Sequence, residues 1–240
     1  MVHPDLIHDA PIQNRLLAAL PPIELKGFIP KLEVVDLTVG TKIYDRGDRI
    51  EHVYFPTSTV TTLLAVGTDD LTLEIGLVGR EGILGLPVFL GDKMADCRAV
   101  VQADGMAARM ATTDFEIECA KGETLRHMLL RFAQLRMVQT SQASACHRFH
   151  VIEKRLVRWI LMTSDRIETS KILVTHDFLT KILGVRRDEV TRAAETLAKR
   201  GLIAYSRNRL LIPDRPRLEA AACQCYSIIR DKEKSLPFVH

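Results

Sequence analysis

Arg186, Arg187, Asp188 and Arg192 crowd into one short stretch of the chain, and their chemistry suits the edges of nucleic-acid bases. An arginine presents a planar fork of donors that fits guanine O6 and N7 together, a contact worth roughly 1–3 kcal/mol of discrimination against a wrong base. Asp188 can accept from a cytosine amino group or orient an arginine. Arg192 follows Arg187 and Asp188 by about one helical turn, so the three can share a surface. Thr175, Thr180, Lys181 and Thr191 are suited to phosphate oxygens, which set position without reading sequence. Arg207 and Arg209, further on, flank Asn208 in a second basic cluster.

The elements that must carry these residues are legible. Thr175 is placed to cap a helix, with Asp177 in the first turn where negative charge suits the dipole. Phe178, Leu179, Ile182 and Leu183 fall on one helical face. Gly184 supplies a left-handed turn. A second helix is predicted from about Arg186 to Arg200, with Val190, Ala193, Ala194 and Leu197 inward and the charged set outward. Two strands, Leu202–Tyr205 and Leu210–Ile212, then flank the turn Ser206-Arg207-Asn208-Arg209, a basic wing able to touch a sugar-phosphate backbone. Surface arginines on a helix pair are often no more than a solvated face. The ordered series of helix, glycine turn, basic helix and basic hairpin favours DNA binding.

Charge supports this locally. Lys171 to Arg217 contains 11 Lys/Arg and 5 Asp/Glu, while the 240-residue chain as a whole carries a net charge of +3. A basic lobe therefore sits on a slightly acidic body, which favours salt-sensitive binding to a polyanion. No apolar run approaches the length needed to span a bilayer, and the first residues lack the basic start and apolar core of a secretory leader. A cytoplasmic protein without a membrane partner is expected. Cys97, Cys119, Cys146, Cys223 and Cys225 form no framework spacing, so reduced thiols are expected.

Composition changes along the chain. Residues 11–30 read as two short helices parted at Pro21-Pro22, with Leu16, Leu17, Leu20 and Leu25 apolar. From Leu32 to Thr113, short β-branched runs (LEVVDL, HVYFP, TVTTLLAV, LTLEIGLV, RAVVQA, MAARMAT) alternate with turns, and nine of the 13 glycines lie there. Such spacing points to a sandwich or barrel. A long helix follows from about Glu123 to Phe149. Leu125, Met128, Phe132, Leu135, Gln139, Gln142, Cys146 and Phe149 alternate by threes and fours along it. That pattern predicts a coiled-coil seam and hence a parallel homodimer, against the plainer reading of an amphipathic helix lying on its own domain. Another helix, Glu153–Ile167, turns Leu156, Trp159, Ile160 and Ile167 inward.

In this order, from about residue 14 to 215, the chain resembles the Crp/Fnr family of bacterial transcription regulators. GVRRDEVTRAAETLAKRGLI resembles the family's recognition-helix signature, which implies operator-contacting roles for Arg187, Asp188 and Arg192; aspartate replaces the family's glutamate, so a different base preference is implied. VYFPTSTVTTLLAVGTDDLTLEIGLVGREGILGLPVFLG resembles the family's effector domain, a cyclic-nucleotide-binding-type jelly roll, and CHRFHVIEKRLVRWILMTSDRI the helix junction of a proteobacterial branch. The implied fold class is α+β: N-terminal helices and jelly roll (1–121), a dimerisation helix (122–150) and a winged helix-turn-helix (151–240). The implied partners are double-stranded DNA, a second copy of the chain and, as a further candidate, RNA polymerase.

The effector pocket departs from the family pattern. Cyclic-nucleotide binders hold ribose with a Gly-Glu step and the cyclic phosphate with an Arg-Ser pair. Here Gly82 precedes Ile83, and Cys97-Arg98 stands where Arg-Ser belongs. Arg98 is one place out of register, which in a strand reverses its direction. Loss of cyclic AMP binding is expected. Gly79-Arg80-Glu81-Gly82 offers another charged loop nearby.

Other chemistry finds little support. No cysteine precedes Cys97, which argues against the N-terminal iron–sulfur cluster of some relatives. Cys146, His147, His150, Cys223 and Cys225 match no strong metal signature and are expected to be buried small residues and polar helix positions, with no metal bound. No Gly-x-Ser-x-Gly turn, phosphate-binding glycine loop or zinc-helix motif is present, so no enzyme is expected. The alternative function is a cyclic-nucleotide-binding module that regulates a protein partner. It accounts for the β region and leaves the basic lobe without a purpose.

Overall fold

The computed structural model describes residues 13–167 and 171–238. Most of the segment read for a secretory leader lies outside the described residues. The described chain opens with two short helices, α1 (Arg15–Ala18) and α2 (Pro22–Phe28). Asn14 caps α1 by accepting from the Leu17 amide at 3.2 Å. Pro22 occupies the first turn of α2, where its missing N–H has no helical partner to lose.

Seven antiparallel strands follow: β1 (Glu33–Leu37), β2 (Lys42–Tyr44), β3 (His52–Pro56), β4 (Val60–Val66), β5 (Thr72–Val78), β6 (Arg98–Ala103) and β7 (Gly105–Ala111), with a single-turn helix α3 (Leu86–Phe89) before β6. They form two sheets in the orders β1-β7-β3 and β2-β6-β4-β5. The six runs read from the sequence are all strands. β2 escaped notice because three residues are too few to show alternation.

β4 is buried on both sides for most of its length, which explains why VTTLLAV shows no in-out pattern. One face of the four-stranded sheet meets the sandwich core, where Phe28, Phe55, Phe115 and Phe132 lie. The other face is covered by helix α6 (Ile152–Ile167), so that Leu64 and Leu77 join the core of the C-terminal lobe. A relay crosses this joint: Thr62 Oγ1 donates to Gln102 Oε1 (2.5 Å), and Gln102 Nε2 donates to Thr163 Oγ1 (2.8 Å).

Helix α4 (Thr112–Lys121) leads into the long helix α5 (Glu123–Phe149). Six of the eight residues read as a dimer seam along α5, Leu125, Met128, Phe132, Leu135, Gln139 and Cys146, are instead buried within the chain itself, while Gln142 is half-buried and Phe149 is exposed. Alternating steps of three and four mark a buried stripe and do not say what buries it. The outward face instead carries Leu130 and Met137, seven residues apart and 51% and 71% exposed.

The C-terminal lobe continues with β8 (Lys171–Leu173), α7 (His176–Leu183), α8 (Arg187–Lys199), β9 (Ala204–Ser206), β10 (Arg209–Leu211), α9 (Arg215–Ala220) and α10 (Gln224–Lys234). The sheet order is β8-β10-β9. β8, α9 and α10 were not read from the sequence. α10 lies along α5, and beyond it Leu236 and Phe238 enter the N-terminal core.

Two sets of buried ion pairs bind the lobes together. Arg158 on α6 donates to Glu74 on β5 at 2.6 Å. Arg166, also on α6, reaches Glu81 at 2.8 Å and Glu233 on α10 at 2.5 Å. Glu81 therefore serves this joint, and its other bond accepts from the Gly79 amide.

Candidate nucleic-acid interface

α7 and α8 form the helix pair expected from the sequence. Thr175 caps α7, its hydroxyl accepting from the Phe178 amide at 3.1 Å. Gly184 ends the helix at φ +61°, ψ +42°. Leu179, Ile182 and Leu183 are buried, as are Val190, Ala193, Ala194 and Leu197 of α8. With that face fixed inward, helical periodicity turns Arg187, Asp188 and Arg192 to solvent, and all three are exposed. Glu189 steadies the start of α8 by accepting from the Arg186 amide at 3.0 Å.

The exposed charges are paired among themselves. Arg187 Nη1 lies 2.7 Å from Asp177 Oδ1, and Arg192 Nη1 lies 2.9 Å from Asp188 Oδ2. Partial desolvation works to raise the Asp188 pKa, but Arg192 and then Arg186 hold the carboxyl below its ordinary range. Exposed pairs of this kind are worth less than about 1 kcal/mol, so either guanidinium can leave its partner for a stronger one.

The remaining residues divide. Arg207 and Arg209 are exposed at the hairpin, where Arg207 (φ +47°) and Asn208 (φ +63°) form the two-residue turn. Thr180 is half-buried with its hydroxyl bonded to the Asp177 carbonyl, and Thr191 is half-buried with its hydroxyl bonded to the Arg187 carbonyl. Thr180, Lys181 and Arg186 line a cleft of about 830 Å³ between α7–α8 and the β4–β5 hairpin. Thr72 of that hairpin donates to the Lys181 carbonyl at 2.9 Å. The first helix thus docks on the N-terminal sheet domain while the charged face of the second stays open.

Sequence reading missed two residues that set the wing against the helices. Tyr205 stacks on His176 with centroids 4.8 Å apart and planes 13° from parallel, and its hydroxyl donates to the Val174 carbonyl at 2.8 Å. They lie 29 positions apart, and nothing local signals the pairing.

In the N-terminal sheet domain, a Cβ built on Gly82 would collide with the Phe132 ring, so α5 fills the space beside the Gly82-Ile83 step. Ile83 and Cys97 are buried. Arg98 points the other way from Cys97 and is held by Asp45 (2.9 Å) and Asp70 (2.7 Å), which raise its pKa further. A guanidinium so engaged is not poised for a cyclic phosphate. Arg136 on α5, one place after Leu135, is also buried and donates to Gln139.

Residues 154–221 match the model of the Crp-like helix-turn-helix domain. This lobe is a Crp-like helix-turn-helix domain. The chain as a whole has the fold of the Crp/Fnr regulators. A regulator assigned to that family from Eubacterium rectale shares 15% identity at a TM-score of 0.67, over 86% of this chain and 96% of its own. FixK2 from Bradyrhizobium japonicum shares 14% at 0.65, over 80% and 98%. CLP from Xanthomonas campestris, a regulator responsive to c-di-GMP, shares 16% at 0.62, over 80% and 99%. No curated protein matches the chain in sequence. Among the described residues no helix is long and apolar enough to cross a membrane.

The Crp-like domain yields a direct check on its turn. A Cβ at Gly184 would need a left-handed backbone and would come within 2.8 Å of Leu73 Cδ1. Gly184→Ala should cost about 1–2 kcal/mol, read as a lower urea midpoint.

Proposed function

We propose that the protein is a sequence-specific, DNA-binding transcription regulator that acts as a homodimer on a palindromic operator. The observation that carries this reading is the open face of α8, where Arg187, Asp188 and Arg192 project together beside the wing arginines Arg207 and Arg209. In this reading α8 enters the major groove with Arg187 and Arg192 on base edges, and the wing follows the backbone. Thr175, Thr180, Lys181, Arg186 and Thr191 lie around that contact and serve phosphate groups or shape the turn. The protein is not an enzyme in this reading.

The second copy docks on the outward stripe of α5 around Leu130 and Met137. These large apolar side chains share one face of a helix whose opposite face is already buried. A symmetric pair presents two α8 helices to major grooves about 34 Å apart. The jelly-roll domain senses the signal, and its ligand is not cyclic AMP, because Arg98 is committed to Asp45 and Asp70.

Selecting bound fragments from random duplex DNA tests the whole reading. The expected result is a two-fold symmetric motif with half-sites one helical turn apart. A single asymmetric site, or no enrichment, overturns the dimer or the DNA reading respectively. Arg207→Ala should weaken binding to every sequence alike and reduce the salt slope by about one, measured by titration at several salt concentrations.

A further inference from the structure

The last turn of α5 and the first turn of α10 bring together four groups that are far apart in sequence. Cys146 and His150 lie four residues apart at the end of α5, His150 being the residue that breaks the helix before α6. Cys223 caps α10, and Cys225 lies in its first turn. The three thiols are buried. Cys146 Sγ is 3.7 Å from Cys223 Sγ, and Cys225 Sγ is 3.7 Å from His150 Nδ1. All four ligand atoms lie within 4.8 Å of one another.

We propose that Cys146, His150, Cys223 and Cys225 form a closed Cys3His site for one zinc ion, which staples the long helix to the C-terminal helix. Bonds of about 2.3 Å at tetrahedral angles set sulfurs about 3.8 Å apart, so the Cys146–Cys223 spacing is that of two ligands of one ion. It is far outside the roughly 2.05 Å of a disulfide. Polynuclear iron–sulfur clusters attach thiolates to separate irons and need a wider set than this one. The thiols also belong to neither apolar core: they form a cluster of their own. Ordinary burial of small residues does not explain why three thiols and an imidazole converge there.

The surroundings hold the ligands in place. Lys154 donates to the Ala221 carbonyl at 2.7 Å and so ties down the loop that leads into Cys223. Cys146 and Cys225 stand on regular helix, while His150 and Cys223 are the extended cap residues that end α5 and open α10, so each pair is anchored by the helix terminus it flanks. An ion bound there fixes the end of α5 at the break where the Crp-like domain begins.

The test uses the full chain, expressed with added zinc and purified under reductant without chelator. One zinc per chain is expected by elemental analysis. Cobalt(II) added to the metal-free protein should give the strong ligand-field and thiolate charge-transfer bands of a tetrahedral, thiolate-rich site. In a chelator competition, Cys225→Ser should weaken zinc binding by about a hundredfold or more, while Cys119→Ser, outside the cluster, leaves it unchanged. Should Cys225→Ser fail to fold, the wild-type stoichiometry and cobalt spectrum still decide. Substoichiometric zinc with no cobalt thiolate band, a sulfide-containing iron cluster, or equal zinc affinity in both variants overturns the proposal.

Discussion

Glu74→Ala should lower the stability of the folded chain by about 3–5 kcal/mol, the usual result of removing one partner of a buried ion pair. Both side chains are almost fully buried, at 2% and 1% exposure for Glu74 and Arg158. Burial works to lower the Arg158 pKa, but Glu74 more than offsets it. Without the carboxylate, a guanidinium is left in a buried joint with the Met162 sulfur at 3.4 Å and the Cys146 thiol as its neighbours, neither able to replace a carboxylate. The loss should appear as a lower unfolding midpoint in urea and as easier proteolysis between the lobes, because the pair spans β5 and α6. Replacing both residues at once, as Glu74→Leu with Arg158→Met, should recover most of the loss, since an apolar pair of similar volume leaves no buried charge. A single substitution within about 0.5 kcal/mol of wild type would mean that water reaches the pair.

The second large effect concerns DNA. Arg187→Ala should weaken binding to the selected operator by about 1–3 kcal/mol and relax preference at one base pair per half-site, measured by titration against the full set of single-base variants. Arg192→Ala should do the same at a different base pair. Loss of an exposed pair with Asp177 changes stability by less than about 1 kcal/mol, so the binding defect should appear in a chain that melts normally. Asp177→Ala gives the control for the ion pair: it frees Arg187 and should leave operator preference intact. A uniform loss across all sequences after Arg187→Ala would place this arginine on phosphate instead of a base.

Much of this was legible before any coordinates. The helix pair, its Gly184 turn and the inward set Val190, Ala193, Ala194 and Leu197 follow from periodicity and from the one residue type that enters the left-handed region freely. The hairpin turn at Arg207 and Asn208 followed from polar residues between two apolar runs. The α5 boundaries were also legible, because a long helix repeats its signal many times. These are local properties, set by residues within a turn or two of each other.

The list of elements and the chemistry on the exposed face of α8 are therefore written in local stretches of the chain. What each buried face meets is not, and emerges only when distant segments pack together. The α5 stripe proved to cover its own domain, because a heptad-like pattern carries no label for its partner. Arg158 and Arg166 are neutralised by Glu74, Glu81 and Glu233 from distant segments, pairings that no local pattern shows. Cys146 and Cys223 lie 77 positions apart, and no spacing rule joins them. Contacts of that kind depend on how the chain closes on itself, a cooperative outcome of packing the two lobes against one sheet, whereas helices and turns are encoded in their own few residues.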